Sequence, residues 1–183
     1  MFYEIDVKSF IRIPPTDLKK SIQETVLEKV RNNFETFTSQ ELGFIIAIKN
    51  IISIGEGIII PEDGAAYYET VFKAITFKPE LQEISLGKIT DITNFGAFIN
   101  IGPVEGMIHI SQTMDDYISF SKAGVLQGKE SKRILKSGDR CRARIIAVSY
   151  KDLNNPKIGL TMRQEGLGKL EWLEQVKEEV KHE

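Results

Sequence analysis

The clearest hydrophobic pattern in the chain lies between Gly87 and Ser111, where three short apolar runs are separated by turn residues. Apolar and polar side chains alternate there with a period of two, which is typical of short strands. Gly96 and Gly106 suit tight turns or bulges that let a small sheet curl. We therefore predict a meander that closes toward a barrel, with Phe98 and His109 on its outside. The three runs are Lys88–Ile92, Ala97–Ile101 and Met107–Ile110.

Two later segments repeat this alternation, Arg140–Ser149 and Lys157–Met162. In the first of them, Arg142 and Arg144 lie on the polar face. The apolar face of the same segment carries Cys141, Ala143, Ile145 and Ala147. Five short strands with one long connection before the fourth predict an all-β, five-stranded OB-fold barrel.

The first 80 residues have a different pattern. Phe2–Ile13 is a predicted strand, which Pro14 and Pro15 end because proline cannot donate to the hydrogen-bond ladder. Thr16 or Asp17 is predicted to cap a helix whose apolar residues recur at every fourth position. These apolar residues are Leu18, Ile22, Val26 and Val30.

Three more strands are predicted at Leu42–Ile54, Ile58–Ile60 and Tyr67–Phe77, with glycine-containing turns at 55–57 and 61–64. The order β-α-β-β-β gives an antiparallel sheet with a helix on one face, a small α+β domain. Leu42–Ile54 is more apolar than a half-exposed strand requires. Either this strand is central and buried, or another protein covers part of the sheet.

Composition places the chain among ordinary globular proteins, with 42% apolar and 27% charged residues in a length of 183, enough for one or two small domains. It has no 18-residue apolar stretch and no signal-peptide pattern, so we expect a cytoplasmic location and no membrane partner. The single cysteine, Cys141, is expected to be a buried core thiol. Two histidines and one cysteine far apart offer no zinc-site spacing, and no metal or other cofactor is expected.

Charge is divided unevenly along the chain. Residues 1–85 carry a net charge of −4, residues 86–163 carry +5, and residues 164–183 carry −3. Positive charge is thus concentrated on the predicted barrel, as binding of a polyanion requires. The excess is modest and does not establish nucleic-acid binding by itself.

Two strings in the barrel region point to a known family. Asn-Phe-Gly-Ala-Phe at 94–98 and Gly-Met-Ile-His-Ile-Ser at 106–111 resemble the RNA-binding repeat of ribosomal protein S-one. Ile-Gly-Glu-Gly at 54–57 and Gln-Thr-Met-Asp-Asp-Tyr at 112–117, with Ile-Arg-Ile-Pro-Pro at 11–15, extend the resemblance over nearly the whole chain. The chain resembles the larger stalk subunit of archaeal RNA polymerase, which is related to the seventh-largest subunit of eukaryotic polymerase II.

This resemblance implies two domains. Residues 1–80 would form an N-terminal ribonucleoprotein-like domain that docks on the polymerase core near the clamp. Residues 81–183 would form the OB-fold RNA-binding domain with a C-terminal helix. A smaller stalk subunit would pack alongside both domains to make a heterodimer, which binds emerging single-stranded RNA and assists transcription initiation.

Candidate RNA-binding residues follow from this pattern, since single-stranded RNA is held by exposed aromatic rings and by cations that follow the phosphates. Phe98 and His109 lie on the outward face of adjacent strands, and the other candidates lie near them. The full set is Lys88, Phe95, Phe98, His109, Arg142 and Arg144. In the alternative interpretation, Phe95 and Phe98 fill a corner of the barrel and the arginines form a solvated surface.

Three other segments leave alternatives open. The positions that the resemblance assigns to core docking also suit simple turn geometry; they are Gly55, Glu56, Gly57, Asp63 and Gly64. Residues 113–138 form either a basic loop that extends the RNA path or a solvated excursion with a short helix near 131–135. A final helix after Gly168 carries Leu170, Leu173, Val176 and Val180 on one stripe. Trp172 lies off that stripe and packs within the chain or on the partner subunit.

No catalytic site is expected. Asp115 and Asp116 lack a third ligand, Ser111 beside His109 lacks a third group, and no phosphate-binding glycine loop is present. Three functions remain: a non-catalytic polymerase stalk subunit, a free-standing RNA-binding protein of translation or RNA decay, and a purely structural adaptor.

Overall fold

The computed structural model describes residues 1–17, 21–35, 37–121, 124–152 and 156–174. The chain divides into two compact units, a first unit at Met1–Lys78 and a second unit at Pro79–Glu183. No helix among the described residues is both long and apolar enough to cross a bilayer.

The first unit is an antiparallel sheet with one helix. Its strands lie in the order β1-β4-β3-β2. They are β1 (Phe2–Ile13), β2 (Thr38–Ser39), β3 (Gly43–Ile59) and β4 (Ala66–Phe77), and the helix is α1 (Ile22–Phe34). The short strand β2 pairs only with the beginning of β3, through Thr38 opposite Phe44.

The helix begins later than the predicted cap. Pro15–Asp17 forms a 3-10 turn, so the prediction of a cap at Thr16 or Asp17 is wrong. Ser21 is the cap, and its hydroxyl oxygen accepts a hydrogen bond from the backbone N–H of Glu24 at 3.3 Å. Ser followed by Glu three residues later is a capping box, a signal that the spacing of apolar residues outweighed in our prediction. The predicted helical residue Leu18 lies outside the described residues.

Strand β3 is continuous across the predicted turn at Gly55–Gly57, so that turn prediction is wrong, and only Ile60 of the predicted strand Ile58–Ile60 lies beyond it. Its pairing with β4 shifts register at four places, the last between Ile54 and Gly57. Each shift adds an extra residue, as in a β-bulge, so the residues that face the helix recur every third position instead of every second. These are Ile45, Ile48, Ile51 and Ile54.

The core of the first unit lies between α1 and one face of the sheet. Val26 and Val30, predicted on the apolar face of the helix, are completely buried. The buried cluster comprises Ile11, Ile13, Val26, Val30, Ile45, Ile48, Phe72 and Ala74. Segment 42–54 is therefore a mixture, because Ile45 and Ile48 are buried while Ile46 and Ile52 are exposed.

The opposite face of this sheet carries several ion pairs, and we call it the ionic face. Glu4 accepts from Lys49 at 2.9 Å and also pairs with Lys73 at 2.9 Å. Asp6 lies 3.6 Å from Lys73. The hydrogen bond from Lys49, and then the one from Lys73, lower the pKa of Glu4.

The second unit contains a closed five-stranded barrel, which confirms the predicted OB-fold. Its strands are β5 (Ile84–Thr93), β6 (Gly96–Asn100), β7 (Glu105–His109), β11 (Arg140–Ser149) and β12 (Lys157–Thr161). Four neighbouring pairs are antiparallel: β5–β6, β6–β7, β5–β11 and β11–β12. The fifth pair, β7–β12, is parallel and closes the barrel. Ile99 and Ile108 are fully buried inside the barrel, and Cys141 is buried as predicted. Burial and the nearby Asp139 raise the pKa of the Cys141 thiol to about 12.

Ala147 of β11 does not lie on the predicted inner face. The alternation predicts it on the inner face, but it is exposed, and so is Ile146. The pairing of β11 with β12 shifts register between Ile145 and Ala147. This irregularity turns the second half of the strand outward.

The connection before the fourth barrel strand folds into a three-stranded antiparallel sheet, β8 (Ile118–Ser121), β9 (Val125–Gly128) and β10 (Ile134–Lys136). The short helix near 131–135, which belonged to one of the two alternatives for this segment, is therefore wrong. Leu135 pairs with Leu126, and both side chains are fully buried. A hairpin buries these two leucines together on one face, which the sequence spacing alone did not reveal.

Of the two alternatives for Trp172, the structure shows the first: it packs within the chain, with 8% of its surface exposed. Residues 170–174 are helical, whereas Val176 and Val180 lie outside the described residues. The ring of Trp172 lies beneath the guanidinium of Arg133, 5.6 Å from the ring centroid. A short strand, β13 (Gly168–Lys169), pairs with β11 just before this helix.

Candidate nucleic-acid interface

Phe98 and His109 line one groove on the outside of the barrel, with a volume of ≈ 620 Å³. We call it the first groove. It runs over β6, β7, β12 and the end of β11. Met107 lies between Phe98 of β6 and Gly159 of β12, because it pairs with Phe98 on one side and with Gly159 on the other. The absence of a side chain at Gly159 leaves room in the floor of the groove.

Two aromatic rings meet at the rim of this groove. The rings of Phe95 and Phe98 are 6.1 Å apart between centroids and inclined at 89°, an edge-to-face arrangement. Phe95 is 46% exposed, and Phe98 is partly buried. The pair therefore offers ring surface to solvent while each ring supports the other.

His109 is held in one orientation by its own chain. Its Nδ1 accepts a hydrogen bond from the backbone N–H of Ser111 at 3.3 Å and lies 2.8 Å from the hydroxyl of Ser111. Because Nδ1 accepts, the neutral ring carries its proton on Nε2. The exposed side of the imidazole thus presents an N–H donor and a flat face.

The structure places the three predicted cations away from the first groove. Lys88 lies on β5 opposite Asn100 of β6 and Arg140 of β11. On the same outer surface, Arg142 lies opposite Leu86 and Arg144 opposite Ile84. Of the six predicted RNA contacts, the structure brings together Phe95, Phe98 and His109.

Lys157 and Ile146 also line the first groove, and neither is among the predicted contacts. Lys157 lies on the polar face of its strand, a signal that the alternation does contain. Its position in this groove, level with Glu105 at the other end of β7 from His109, depends on the parallel pairing of β12 with β7, which no local pattern reveals. Ile146 reaches the groove through the bulge in β11, and it is 41% exposed.

Arg142 lines a different groove of ≈ 440 Å³, which we call the second groove. Arg133 and Arg163 lie in the same groove, together with Asp115 and Trp172. The Nη1 of Arg142 donates to the carbonyl oxygen of Gly166 at 3.3 Å. Arg163 pairs with Asp115 through Nε at 2.9 Å and Nη2 at 2.8 Å.

The neighbouring carboxylates Asp115 and Asp116 therefore have different partners. Asp116 accepts hydrogen bonds from the backbone N–H of Ser131 at 2.9 Å and of Glu130 at 3.1 Å. These bonds, chiefly the one from Ser131, lower the pKa of Asp116. A side chain at Gly128 would meet the Asp116 carboxylate at 2.3 Å, so this turn requires glycine. Asp116 stabilises the turn between β9 and β10.

The predicted docking residues of the first unit fall into two groups. Gly55, Glu56 and Gly57 lie in the last bulge of β3, and a Cβ on Gly57 would lie 2.9 Å from the ring of Tyr68. Gly64 has a φ of 66° in the loop that follows, a left-handed conformation that favours glycine. The first group, Gly55–Gly57, and the second, Asp63 with Gly64, flank three exposed isoleucines: Ile58, Ile59 and Ile60.

Asp63 is engaged by its own unit. It accepts from Arg12 through Nε at 2.9 Å and Nη2 at 2.6 Å, and from the hydroxyl of Tyr67 at 2.5 Å. The Arg12 guanidinium, and then Tyr67, lower the pKa of Asp63 to about 2. The hydrogen bond to Asp63, and then burial, raise the pKa of Tyr67. Asp63 thereby fixes the loop between β3 and β4 against β1.

Comparison with known families identifies both units. Residues 8–64 match the family described as "SHS2 domain found in N terminus of Rpb7p/Rpc25p/MJ0397". Residues 78–154 match the family described as "S1 RNA binding domain". The fold and site therefore define a protein that joins an SHS2 domain to an S1-type OB-fold barrel.

Full-length relatives specify the family further. The chain is 39% identical to the DNA-directed RNA polymerase subunit Rpo7 of Saccharolobus solfataricus over 97% of this chain and 99% of that protein. It is 29% identical to the DNA-directed RNA polymerase III subunit RPC8 of Saccharomyces cerevisiae, over 62% of this chain and 54% of that protein. Among solved structures, the apo form of Mycoplasma genitalium RNase R is 28% identical and covers 44% of this chain and 13% of its own, with a TM-score of 0.38. The chain belongs to the Rpo7 family of DNA-directed RNA polymerase subunits.

Proposed function

We propose that this chain is the larger stalk subunit of a multisubunit DNA-directed RNA polymerase and has no active site of its own. The observation that carries the proposal is the match to Rpo7, which includes the first unit as well as the barrel. A free-standing RNA-binding protein needs only the barrel, so that alternative is not favoured. The proposal includes a smaller stalk subunit as heterodimer partner, docking on the polymerase core near the clamp, and assistance to initiation.

The barrel contributes contacts to emerging single-stranded RNA. A base stacks on the ring of Phe98, which Phe95 supports edge-on, and the Nε2–H of His109 donates to the nucleotide. Lys157 supplies a cation at the same groove. Stacking on a ring does not depend on base identity, so sequence preference is weak. The proposed RNA contacts remain Lys88, Phe95, Phe98, His109, Arg142 and Arg144, with Lys157 added.

The first unit contributes the docking end. The proposed contacts are Gly55, Glu56, Gly57, Asp63 and Gly64. Because Arg12 and Tyr67 already engage its carboxylate, Asp63 acts by positioning the loop. The exposed isoleucines 58–60 then supply apolar surface for the polymerase core.

Co-expression with the smaller stalk subunit tests the assembly. Size-exclusion chromatography with light scattering should give a one-to-one heterodimer, and the heterodimer should bind polymerase core. A well-folded monomer that ignores that partner would instead favour the free-standing RNA-binding protein.

A double variant tests the RNA site. Phe98→Ala with His109→Ala should weaken the binding of single-stranded RNA by more than about tenfold, since one stacked base contributes about 1–3 kcal/mol. Phe120→Ala is the matched control, because Phe120 is 40% exposed on β8 and does not line the first groove. Equal affinity of the double variant and the wild type, with the barrel folded, would reject the site.

A further inference from the structure

We propose that the second groove binds the phosphate backbone of single-stranded RNA, so that a transcript leaving the first groove continues into it. This inference rests on the proposed function, because it assumes that RNA occupies the first groove. It adds Arg133 and Arg163 to Arg142 and assigns to all three a shared ligand.

Three arginines line this groove, and each is held by one contact within the chain. Arg133 lies over the ring of Trp172, Arg142 donates to the carbonyl of Gly166, and Arg163 pairs with Asp115. A guanidinium has five N–H donors in a rigid fork, so one contact orients it and leaves donors for a ligand. Planar, oriented guanidinium groups match the oxygens of a phosphate.

The two grooves lie side by side. Gln112 lines the first groove, and the next residue, Thr113, lines the second. Similarly, Leu160 lines the first and Met162 the second. Thr161 donates to the side chain of Gln112 at 2.7 Å, which joins these two segments at the border between the grooves. A strand of about 4–16 nucleotides, the site size of one OB-fold, is long enough to cross it.

Two carboxylates also line the second groove, Asp115 and Glu165, against the three arginines. Asp115 contacts Arg163 through a single oxygen, Oδ1, and its side chain is 74% exposed. Asp115 therefore orients Arg163, but because the pair is exposed, solvent weakens the attraction between the two charges. The remaining excess of positive charge favours a polyanion, and continuity with the first groove favours RNA over an acidic peptide.

The test removes the arginines and varies the length of the RNA. Arg133→Gln, Arg142→Gln and Arg163→Gln are combined in the full chain, in the heterodimer if one forms. Binding to uridine oligonucleotides of about 5 and about 15 nucleotides, lengths near the two limits of an OB-fold site, is measured over a range of salt concentrations. We expect the long RNA to bind about tenfold more weakly than it binds to the wild type, and the short RNA to lose no more affinity than Arg142→Gln alone removes. The slope of log affinity against log salt for the long RNA should become shallower by about 2, as loss of three phosphate contacts requires.

The control removes three other cations from the same unit: Arg140→Gln, Lys129→Gln and Lys132→Gln. These residues do not line the second groove. Equal losses in the two triple variants would overturn the inference, since charge alone would then explain the effect. Arg163→Gln alone protects the test against misfolding, because it leaves Trp172 and its partner Arg133 intact. Because Arg163 is not among the contacts proposed for the first groove, its loss should be smaller and confined to the long RNA.

The remaining outcomes separate this inference from the proposed function. If the short RNA depends on Phe98 and His109 while the arginine variants bind the long RNA normally, the second groove is rejected and the first groove stands. If neither RNA binds to the wild type, both proposals fail. If an acidic peptide binds to the arginines and the long RNA does not displace it, the second groove is a protein site and the inference is wrong.

Discussion

The two units of this protein use their charged side chains differently. On the ionic face of the first unit, Lys49 and Lys73 pair with Glu4, and Lys8 pairs with Glu69 at 2.9 Å. In the described part of the barrel, outward cations such as Lys88 and Lys157 have no carboxylate partner. Net charge therefore understates the contrast between the units. What distinguishes the barrel is that several of its cations are available to a polyanion.

The largest effect is expected from the core of the first unit. Phe72 is fully buried, with its ring 5.0 Å from that of Phe34. Phe72→Ala should destabilise the first unit by about 3–5 kcal/mol, because the cavity adds to the lost transfer free energy. Thermal unfolding followed by circular dichroism measures this change. RNA affinity should not change if the barrel alone provides the site.

The thiol of Cys141 reports on the barrel in the same experiment. Because its pKa is raised to about 12, it stays protonated at about pH 8 and should not react with a thiol reagent until the barrel unfolds. Ile52→Ala, an exposed position in β3, is the matched control for Phe72→Ala. Reaction of Cys141 in the folded Phe72→Ala variant would mean that the two units depend on each other.

The next effect concerns the barrel's internal ion pair. Lys169 and Asp139 are 3.1 Å apart and are buried. Lys169→Met should cost roughly 3 kcal/mol, since it leaves the buried charge of Asp139 with the backbone N–H of Lys136 and no cation. Adding Asp139→Asn should recover part of the loss. Lys8→Met, on the exposed ionic face, should change the melting temperature very little. Equal losses from both lysines would remove the distinction between the two kinds of ion pair.

A smaller effect tests the contrast between the paired cations of the first unit and the unpaired cations of the barrel. Glu4→Gln with Asp6→Asn releases Lys49 and Lys73, and should strengthen RNA binding by about two- to threefold at low salt, an effect that screening removes at high salt. Fluorescence anisotropy with labelled RNA measures the change. The control, Glu56→Gln with Glu62→Gln, alters net charge equally without freeing a described cation. An equal gain in the control would show that net charge, not pairing, decides.

The smallest effect is expected from pH at the loop of Asp63. Its pKa is lowered to about 2, so the stabilising pair with Arg12 is complete above the unfolded value near 4 and is lost as pH falls toward 2. Between about pH 5 and 8 this pair should contribute no pH dependence. An NMR titration of the Asp63 carboxyl should show a midpoint near 2, which Arg12→Gln should raise. A midpoint near the unfolded value in the wild type would contradict the observed contacts.

Much of the barrel can be predicted from the sequence because its strands alternate regularly. Alternation fails where register is set by pairing. The threefold spacing of isoleucines in β3 reflects four bulges, and the outward turn of Ala147 reflects one more. Alternation also assigns Arg142 to the correct face without revealing which groove it enters, because that depends on the chain beyond β12. The helix predicted near 131–135 fails because the pairing of Leu135 with Leu126 outweighs local spacing.

The bulges of β3 also matter for solubility. Among the described strands, only β2 pairs with the outer side of β3, and it reaches only the first two residues of that strand. Unpaired backbone donors and acceptors along the side of a strand can recruit a strand from another molecule. If β3 had no bulges, its unpaired side would present a long, evenly spaced row of such backbone groups. Each bulge interrupts the even spacing of those groups, and Lys49 falls within one of them. The irregular strand thus resists intermolecular sheet growth while its isoleucines still reach the core.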